Sequence, residues 1–341
     1  MLFSAKIRNG NSFPIEVSMS VLVTGGAGYI GSHVVSLLGA AGKDIIIFDN
    51  LTTGRKENIL YGKLIVGDLN DTSAIDKLFT ENNIEAVLHF AGSIVVPESV
   101  ENPSLYYQNN TENSLNLMKA CIKHKTKKFI FSSTAAVYGM PESGVASEDT
   151  PTNPINPYGR SKLMTEWMLQ DVSRAHDFNY VALRYFNVAG ASKTGKIGQS
   201  TPKATHLLKT AAEVVTKKRE KMAIFGTDYK TKDGTCIRDY IHVDDLAQAH
   251  LDALAYLDKG GRSQVLNCGY GHGFTVKEVI SAVEACTGEK LNVEMGPRRA
   301  GDAVELISRA EKIKDILGWT PKYNDLSYIV KSALDWEKKL K

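Results

Sequence analysis

Cysteine is scarce in this sequence, and no two of its four cysteines are spaced as Cys-x-x-Cys. A scattered set excludes a disulfide framework and a zinc site and fits a reducing compartment, so we expect a cytoplasmic protein. The eight histidines include no His-Glu-x-x-His or similar pair, so we expect no metal. An apolar run of about eighteen residues is also lacking, which excludes a transmembrane helix.

Charge of a single sign is equally lacking. The 41 basic and 38 acidic residues give a formal net charge of +3, and the basic residues are dispersed. We therefore expect neither a nucleic acid nor a membrane as a partner. The hydrophobic content of 43% and the charged content of 23% are typical of a soluble globular protein.

The first 18 residues are polar and aperiodic. They lack the apolar segment of a signal peptide. Met19 directly precedes the first strand-like run. We interpret residues 1–18 as a disordered extension, or as the result of a start codon assigned too far upstream.

Short apolar runs alternate with helical patterns over the first half of the chain. Continuous runs at residues 21–24 and 45–48 are typical of parallel strands that are buried on both faces. Similar runs follow at residues 64–66, 86–90, 129–133 and 180–184, with helical patterns between them at 30–42, 73–81, 103–124 and 158–175. The alternation predicts an α/β fold, a Rossmann-type doubly wound parallel sheet with helices on both faces.

The pattern changes after Tyr185. Residues 190–201 are rich in Gly, Ser, Thr and Lys and predict a long loop. Beyond it, we expect helices at residues 202–218, 243–258 and 274–287 and strands at 263–267 and 291–295. We therefore predict a Rossmann domain over residues 19–189 and a smaller mixed α/β C-terminal substrate lobe over residues 190–341, interleaved with the first.

A tyrosine and a lysine lie four residues apart at the start of the predicted helix 158–175. Tyr158 and Lys162 share one helix face, with Cβ atoms about 6 Å apart. An ammonium beside a phenol favours the phenolate, so the pair predicts a base that works at neutral pH. Of the 14 tyrosines only Tyr158 has a lysine four positions later, although chance alone would give about one such pair. The alternative is an ordinary exposed helix pair.

A glycine-rich loop joins the first predicted strand to the first predicted helix. Gly25 permits a tight turn, Gly28 lets the backbone approach a pyrophosphate, and Gly31 lets the helix pack closely on the sheet. The helix N-terminus then presents its amides to the phosphates. Asp49 closes the second strand, where a carboxylate binds ribose hydroxyls and disfavours a 2′-phosphate, so we predict NAD rather than NADP. Asp68 follows the third strand, where it contacts adenine or caps a helix.

Several motifs occur in a fixed order along the chain: TGGAGYIG at residues 24–31, HFAG at 89–92, FSSTAAVYG at 131–139, YGRSK at 158–162, LRYFN at 183–187 and RDYIHVDD at 238–245. The chain thereby resembles the extended short-chain dehydrogenase/reductases and, within them, the UDP-glucose 4-epimerases. The resemblance covers nearly everything from Met19 to the C-terminus. The glycine loop and the tyrosine motif are shared across the superfamily, whereas the last motif is more specific to the 4-epimerases.

The resemblance implies reversible epimerisation at C4 of a UDP-hexose through a transient 4-keto sugar, with NAD retained because the two redox steps cancel. In the family a tyrosine takes the proton of the 4-hydroxyl while hydride leaves C4. Tyr158 would be this base, Lys162 its electrostatic partner, and Thr134 the hydroxyl that orients the 4-oxygen. Read without the family, Ser132 and Ser133 are a strand end that satisfies its own backbone.

The resemblance also implies two sets of binding residues. Those implied for NAD are Gly25, Gly28, Tyr29, Ile30, Gly31, Asp49, Asn50, Asp68, Leu69, Phe90, Ala91, Asn109, Ser132, Tyr158, Lys162 and Tyr185. Those implied for the substrate are Thr134, Tyr158, Asn187, Ala223, Phe225, Arg238, Arg299, Asp302 and Leu306.

Each implied substrate residue has a part of the nucleotide sugar to contact. Ala223 and Phe225 match the uracil pocket, Asp302 the uridine ribose, and Asn187 the nucleotide sugar itself. Arg238 and Arg299 match the diphosphate contacts, which suits a planar guanidinium that bonds two oxygens at once. Read without the family, Arg238 pairs with Asp239 at the surface, and Arg298 and Arg299 are a solvated pair. His242 and His250 are interpreted as structural.

Two positions depart from the family. Several members carry a lysine near the cofactor where this chain has Ile94, so one contact is lost or replaced. Leu306 stands where some members have a tyrosine in the wall of the sugar pocket. Because leucine is smaller, an N-acetylhexosamine is an alternative substrate, and glucuronate or a pentose derivative also stays open.

Two further alternatives concern the reaction. A nucleotide-sugar dehydratase needs an acid and a base for elimination, and the dehydratases carry Asp-Glu where this chain has Ala135 and Ala136. A non-catalytic NAD-binding module would be favoured by loss of Tyr158 or Lys162, and both are present. The resemblance implies a homodimer, formed through the helices near residues 103–124 and 158–175.

Overall fold

The apolar runs form a parallel sheet of seven strands within residues 19–201, 204–299 and 302–340, which the computed structural model describes. The expectation for residues 1–18 lies outside these residues. The strands are β1 (Ser20–Thr24), β2 (Asp44–Asp49), β3 (Lys63–Val66), β4 (Ile84–His89), β5 (Lys128–Ser132), β6 (Val145–Ala146), β7 (Asn179–Tyr185), β8 (Asn187–Ala189), β9 (Met222–Phe225), β10 (Ile237–Arg238), β11 (Tyr240–His242), β12 (Gln264–Cys268), β13 (Phe274–Thr275), β14 (Val293–Gly296) and β15 (Glu305–Ser308).

The helices surround this sheet and build the smaller lobe. They are α1 (Tyr29–Ala40), α2 (Thr72–Glu81), α3 (Val96–Glu101), α4 (Pro103–Tyr106), α5 (Asn113–Lys123), α6 (Pro157–Ala175), α7 (Leu207–Val215), α8 (Val243–Asp258), α9 (Val276–Thr287), α10 (Glu311–Leu317) and α11 (Leu326–Lys339). Within the described part of the chain, none of them is long and apolar enough to cross a membrane.

The large sheet has the order β12-β7-β5-β4-β1-β2-β3 with all neighbours parallel, which confirms the predicted doubly wound fold. The chain leaves β1 for β2 on one side and returns to β4 on the other. The carboxyl ends of β1 and β4 therefore border a crevice at the point where the strand order reverses. Ligands of open α/β sheets bind in such a crevice.

Burial on both faces explains why the strands are continuously apolar. In β2, Ile45 and Ile47 pack into one core, whereas Ile46 and Phe48 pack into the core on the opposite face. Side chains of a strand alternate between faces, so a strand between two cores has no position left for a polar residue.

The predicted helix at 103–124 is less regular than its sequence pattern indicates. It consists of α4, a π-helical segment (Tyr107–Glu112) and α5. A π-helical turn changes the direction of the side chains that follow it and is frequent at functional sites. The helix predicted at 202–218 is also shorter, because α7 occupies Leu207–Val215.

The C-terminal half of the chain contributes to both parts of the molecule. β12 pairs with β7 at one edge of the large sheet, and α8 packs against α1. A separate core forms where α7, α9 and α11 pack together. Short strands connect the parts, since β8 pairs with β11, and β15 lies between β10 and β6.

Candidate active site

Tyr158 and Lys162 lie in the first two turns of α6, as the sequence predicts. The Asn156 side chain caps this helix and accepts a hydrogen bond from the Gly159 amide at 2.9 Å. Tyr158 is 7% exposed and Lys162 is 2% exposed. The pair is therefore buried at the crevice, and the alternative of an exposed surface pair is wrong.

The Lys162 ammonium is directed toward the end of β5. Its Nζ donates to the Ser132 carbonyl oxygen at 2.9 Å and lies 4.7 Å from the centroid of the Phe131 ring. Burial lowers the pKa of Lys162 to about 8, because the ammonium loses its hydration, and the Glu166 carboxylate partly opposes this shift. Since an ammonium has three hydrogens, two remain for a ligand.

We predicted that Lys162 lowers the pKa of Tyr158, and this prediction is wrong for the protein without ligands. Burial raises the pKa of Tyr158, and a hydrogen bond with Thr134 opposes the rise. The Lys162 ammonium donates to the Ser132 carbonyl oxygen, and burial of the phenol outweighs the effect predicted from proximity on the helix face. Formation of the phenolate therefore needs further positive charge in the crevice.

Thr134 lies where it can serve both the backbone and the phenol. Its Oγ1 accepts a hydrogen bond from the Ala136 amide at 3.1 Å and caps a short 3-10 helix (Ala135–Tyr138). The hydroxyl hydrogen stays available to donate, in agreement with the hydrogen bond to Tyr158. Thr134 is thus the hydroxyl next to the buried phenol, as the sequence predicts.

The interpretation of the two serines before Thr134 is wrong. Ser132 Oγ donates to the Tyr185 hydroxyl at 3.0 Å, and Ser133 Oγ donates to a Glu166 carboxylate oxygen at 2.5 Å. Both hydroxyls therefore bond to side chains from other elements rather than to their own backbone.

Sequence reasoning missed a buried ion pair beneath the catalytic helix. Arg184 on β7 donates to Glu166 on α6 at 2.6 Å, and its guanidinium also donates to the Tyr138 hydroxyl at 3.0 Å. The side chains of Arg184 and Glu166 are 8% and 4% exposed. Arg184 and Tyr138 lie inside two of the motifs, which was the available signal. The network ties α6 to the sheet and fixes the position of Tyr158.

The glycine loop has the shape that a pyrophosphate needs. Gly25 has φ of +71°, and a Cβ there would lie 2.6 Å from the Ala91 amide nitrogen. A Cβ at Gly31 would lie 2.3 Å from the Gly25 carbonyl oxygen, so only glycine permits this close packing. At Gly28 a Cβ would meet nothing closer than 3.2 Å, which leaves the N-terminus of α1 open to a ligand.

Tyr29 and Ile30 begin α1 with different contacts. The Tyr29 hydroxyl donates to the Gly190 carbonyl oxygen at 2.7 Å, and burial raises its pKa. Ile30 packs against the core beneath the sheet. Tyr29 therefore connects the glycine loop to the segment that follows Asn187.

Asp49 stands at the end of β2, as predicted for a ribose-binding acid. Its carboxylate accepts hydrogen bonds from the Ala27 amide at 3.0 Å and the Leu51 amide at 2.8 Å. These contacts hold the carboxylate beside the glycine loop and leave lone pairs for two hydroxyls. The position of Asp49 therefore agrees with the dinucleotide site that the sequence predicts at this edge of the sheet.

Asp68 does not cap a helix, since the cap of α2 is Asp71. Asp68 instead accepts a hydrogen bond from the Asn50 side chain at 2.8 Å. The two residues lie together at the ends of β2 and β3, where the sequence places adenine. Leu69, in contrast, is buried in the core.

The segment after β4 is organised by an asparagine that sequence reasoning missed. Asn110, in the π-helical segment, accepts from the Ser93 amide at 2.7 Å and donates to Ser161 Oγ at 2.9 Å. The neighbouring Asn109 donates to Ser93 Oγ at 2.9 Å. Ile94, at the position of the family lysine, is 43% exposed. Phe90 and Ala91 precede this turn beside the glycine loop.

Of the residues predicted to bind the substrate, Arg238 and Leu306 lie on short strands, whereas Asp302 lies outside the strands and helices. Arg238 on β10 is opposite Leu306 on β15, and its guanidinium lies 3.8 Å from the Asp302 carboxylate. Asp239 is fully buried and accepts from the amides of Tyr270, Gly271 and Ser308, so the interpretation of Arg238 and Asp239 as a surface ion pair is wrong.

The aromatic wall of the lobe carries the second arginine. The Arg299 guanidinium lies 3.9 Å from the centroid of the Phe225 ring on β9, the strand that also holds Ala223. Arg298 binds Asp228 and stacks on Tyr229 instead. The two arginines are therefore not simply a solvated pair, because each has its own aromatic partner.

Asn187 borders a cavity that is partly open to solvent. The cavity is also lined by Tyr29, His206 and Leu207, so the start of α7 forms part of its wall. Burial lowers the pKa of His206. Sequence reasoning did not identify His206 or Leu207, because residues 202–218 gave only a helical pattern. The cavity adjoins Asn187 rather than Tyr158.

The geometry unites a dinucleotide loop, an acid at the second strand end, and a buried tyrosine and lysine on one helix. A family model described as NAD dependent epimerase/dehydratase family matches residues 21–269 of the chain. The chain belongs to this family.

Relatives within the epimerase/dehydratase family match nearly the whole chain. A UDP-glucose 4-epimerase of Azospirillum brasilense is 53% identical over 324 residues, which are 95% of this chain and 93% of the relative. The solved structure of the UDP-Glc/GlcNAc 4-epimerase from Campylobacter jejuni is 52% identical, with a TM-score of 0.82 over 95% of this chain and 100% of that chain.

A third relative has been solved with ligands. The UDP-glucose 4-epimerase from Bifidobacterium longum in complex with NAD+ and UDP is 39% identical, with a TM-score of 0.90 over 94% of this chain and 98% of that chain. This structure and the one from Campylobacter jejuni share the fold of the chain over almost its full length.

Proposed function

We propose that the chain catalyses reversible NAD-dependent epimerisation of a UDP-hexose at C4, which interconverts UDP-glucose and UDP-galactose. The observation that carries the proposal is the buried Tyr158, hydrogen-bonded to Thr134 beside the crevice of a dinucleotide fold. Relatives that match 94% or more of the chain are UDP-glucose 4-epimerases, which supports the same reaction here.

The proton at the sugar 4-hydroxyl passes to Tyr158. Thr134 donates to the phenolic oxygen and, once the sugar is bound, orients the 4-oxygen toward it. When bound, NAD supplies the acceptor and later the donor of the C4 hydride, and its oxidised ring adds the positive charge that the Tyr158 phenolate needs. Tyr158 returns the proton after the 4-keto sugar has turned its other face.

Lys162 holds the cofactor side of this arrangement. With one hydrogen on the Ser132 carbonyl, its ammonium would bond the nicotinamide ribose with the others. The amides at the start of α1 would hold the pyrophosphate, and Asp49 would bind the adenosine ribose. Water is excluded because the pair on α6 is buried.

The lobe would hold the UDP part of the substrate. Arg238 and Arg299 bind the diphosphate, which carries two negative charges in total and offers oxygen pairs that suit a planar guanidinium. Phe225 and Ala223 face uracil, and Asp302 accepts from the uridine ribose. We propose on this basis that residues 19–189 bind mainly NAD and that residues 190–341 bind mainly the nucleotide sugar.

The second candidate substrate is a UDP-N-acetylhexosamine. Leu306 packs beside the small core around Val137, Leu163 and Phe186, and its side chain is shorter than the tyrosine some relatives carry. The Campylobacter jejuni relative, a UDP-Glc/GlcNAc 4-epimerase, is 52% identical. We expect Leu306→Tyr to reduce turnover of UDP-N-acetylglucosamine more than that of UDP-glucose. If Leu306→Tyr changed the turnover of both sugars by the same factor, this role of Leu306 would be excluded.

We also propose that the chain forms a homodimer in the cytoplasm. Met164 and Trp167 on α6 are 37% and 54% exposed, which is unusual for large apolar side chains and favours a partner surface. The four cysteines all lie in described residues and are free, which suits a reducing compartment. We expect Trp167→Glu to shift the sedimenting species from dimer to monomer.

A direct assay tests the proposed reaction. The purified protein would be mixed with UDP-galactose, UDP-N-acetylglucosamine and UDP-glucuronate in turn, without added NAD, and the products followed by proton NMR. We expect UDP-glucose from UDP-galactose, and NAD to be released on denaturation. Bound NAD without turnover of any UDP-hexose would exclude the proposed function.

A further inference from the structure

The C-terminal helix α11 carries a buried carboxylate that the proposed reaction does not use. The Glu337 side chain is 2% exposed. Its Oε2 accepts from Lys209 Nζ at 2.5 Å, and its Oε1 accepts from Lys218 Nζ at 2.9 Å. A buried carboxylate is tolerated only with such partners, because desolvation of a charge is costly.

The two lysines belong to opposite ends of α7. Lys209 lies in its first turn, and Lys218 follows its last residue, Val215. Lys218 also donates to the main-chain oxygens of Glu337 at 3.0 Å and Leu340 at 2.5 Å. Glu337 therefore joins the end of α11 to both ends of α7.

The first turn of α7 is a wall of the cavity beside Asn187. Lys209 lines this cavity together with His206 and Leu207. Trp336 and Glu337 itself also line it, and the Trp336 indole nitrogen donates to the Gln199 carbonyl oxygen at 3.1 Å. Thus α11 makes two contacts at the cavity, one to Lys209 in the first turn of α7 and one to Gln199.

We propose that Glu337 is a positioning residue for the nucleotide sugar, acting through Lys209 on the first turn of α7. The inference rests on the proposed function, because it assigns the cavity beside Asn187 to that substrate. The Lys209–Glu337 ion pair is buried and short, so it fixes where the first turn of α7 lies in the wall of the cavity beside Asn187. A small displacement of positioning groups is enough to weaken binding.

The test compares Glu337→Gln with a matched exposed control on the same helix. Glu337→Gln keeps the shape but removes the carboxylate charge 2.5 Å from Lys209 Nζ, whose other carboxylate partner, Glu213, is 3.4 Å away. Asp335→Asn removes a carboxylate two residues earlier, where the pair with Lys331 is exposed at 49% and 64%. For each variant KM and kcat for UDP-glucose, the Kd of UDP by calorimetry and the NAD content are measured.

For Glu337→Gln we expect KM and the Kd of UDP to rise about tenfold or more, with kcat within about twofold and NAD retained. Asp335→Asn should change each value less than about twofold. An unchanged KM and Kd in folded Glu337→Gln overturns the inference, and so does a joint loss of kcat, NAD and binding, which indicates general loss of structure.

Lys209→Met decides the matter if Glu337→Gln is not recovered folded. It leaves Glu337 paired with Lys218, so we expect a rise in the Kd of UDP of about threefold, and no rise overturns the inference.

The two proposals fail separately. A wild type that binds UDP but does not epimerise UDP-glucose contradicts the function, while a weaker Kd in the variants still supports Glu337.

Discussion

The start of α6, proposed for catalysis, and the smaller lobe, proposed to bind the substrate, are built in different ways. Lys162 is 2% exposed and is fixed by the Ser132 carbonyl before any ligand binds. The Arg238 side chain is 12% exposed, and its nearest carboxylate, Asp302, is 3.8 Å away and 31% exposed. The residues proposed for catalysis are thus held by buried contacts, whereas Arg238, proposed for substrate binding, has a longer and more exposed ion pair.

This difference separates two kinds of effect on the reaction. Groups that the protein holds in place act on the chemical step, and their loss lowers kcat. Groups that gain their partners only with the ligand act on binding, and their loss raises KM. The following substitutions test that separation.

The largest effect is expected at Tyr158. Tyr158→Phe removes the phenolic oxygen but keeps the ring, so we expect kcat to fall about 10²–10⁴-fold with NAD content unchanged. Steady-state kinetics and NAD quantification after denaturation measure the two quantities. Unchanged turnover would place the base elsewhere.

A smaller effect, of a different kind, is expected at Arg238. Arg238→Met removes a charge-assisted contact to the diphosphate, so we expect KM for UDP-glucose to rise about 10–100-fold with kcat nearly unchanged. A fall in kcat with constant KM would contradict the proposed division between the two regions.

Lys162 should lower the free energy of unfolding, because its ammonium is buried where the proposed reaction needs it. Burial lowers the pKa of Lys162 to about 8, so the unfolded chain holds this proton more tightly than the folded chain between about pH 8 and pH 10. The free energy of unfolding therefore rises with pH in that range. Lys162→Met should stabilise the protein at pH 7 by about 1–3 kcal/mol and abolish most turnover.

The pH dependence provides the control for this substitution. Urea unfolding at pH 7 and pH 9.5 should show the advantage of Lys162→Met shrinking at the higher pH, because the wild-type lysine is then neutral when folded. An advantage that is equal at both values would show that packing, rather than charge burial, causes it.

The smallest effect is expected at Phe225. Its ring lies 3.9 Å from the Arg299 guanidinium, and a cation–π contact near the surface contributes about 0.5–1 kcal/mol. Phe225→Leu should therefore raise KM about two- to fivefold.

The fold and the catalytic pair could be predicted because their signals are local. The glycine loop and Asp49 follow adjacent strands, and Tyr158 and Lys162 are one helical turn apart. The protonation of Tyr158 could not be predicted in this way. It depends on burial and on where the Lys162 ammonium points, and both are set by residues distant in sequence.

The lobe was harder to predict for a related reason. Arg238 and Asp239 are sequence neighbours, yet the Arg238 guanidinium lies 3.8 Å from the partly exposed Asp302 carboxylate, whereas Asp239 accepts hydrogen bonds from three backbone amides in the interior. The role of Asn110 depends on a π-helical segment that its sequence pattern does not distinguish from an α-helix. Contacts between elements that are distant in sequence determine how these side chains are placed.

Epimerisation in deuterium oxide tests the central claim most directly. If Tyr158 moves only the hydroxyl proton while the C4 hydrogen leaves and returns as hydride, UDP-glucose formed from UDP-galactose retains its original hydrogen at C4. We predict no deuterium at C4 by NMR, without added NAD. Deuterium at C4 would show that the hydrogen exchanges with solvent as a proton, which would contradict this account.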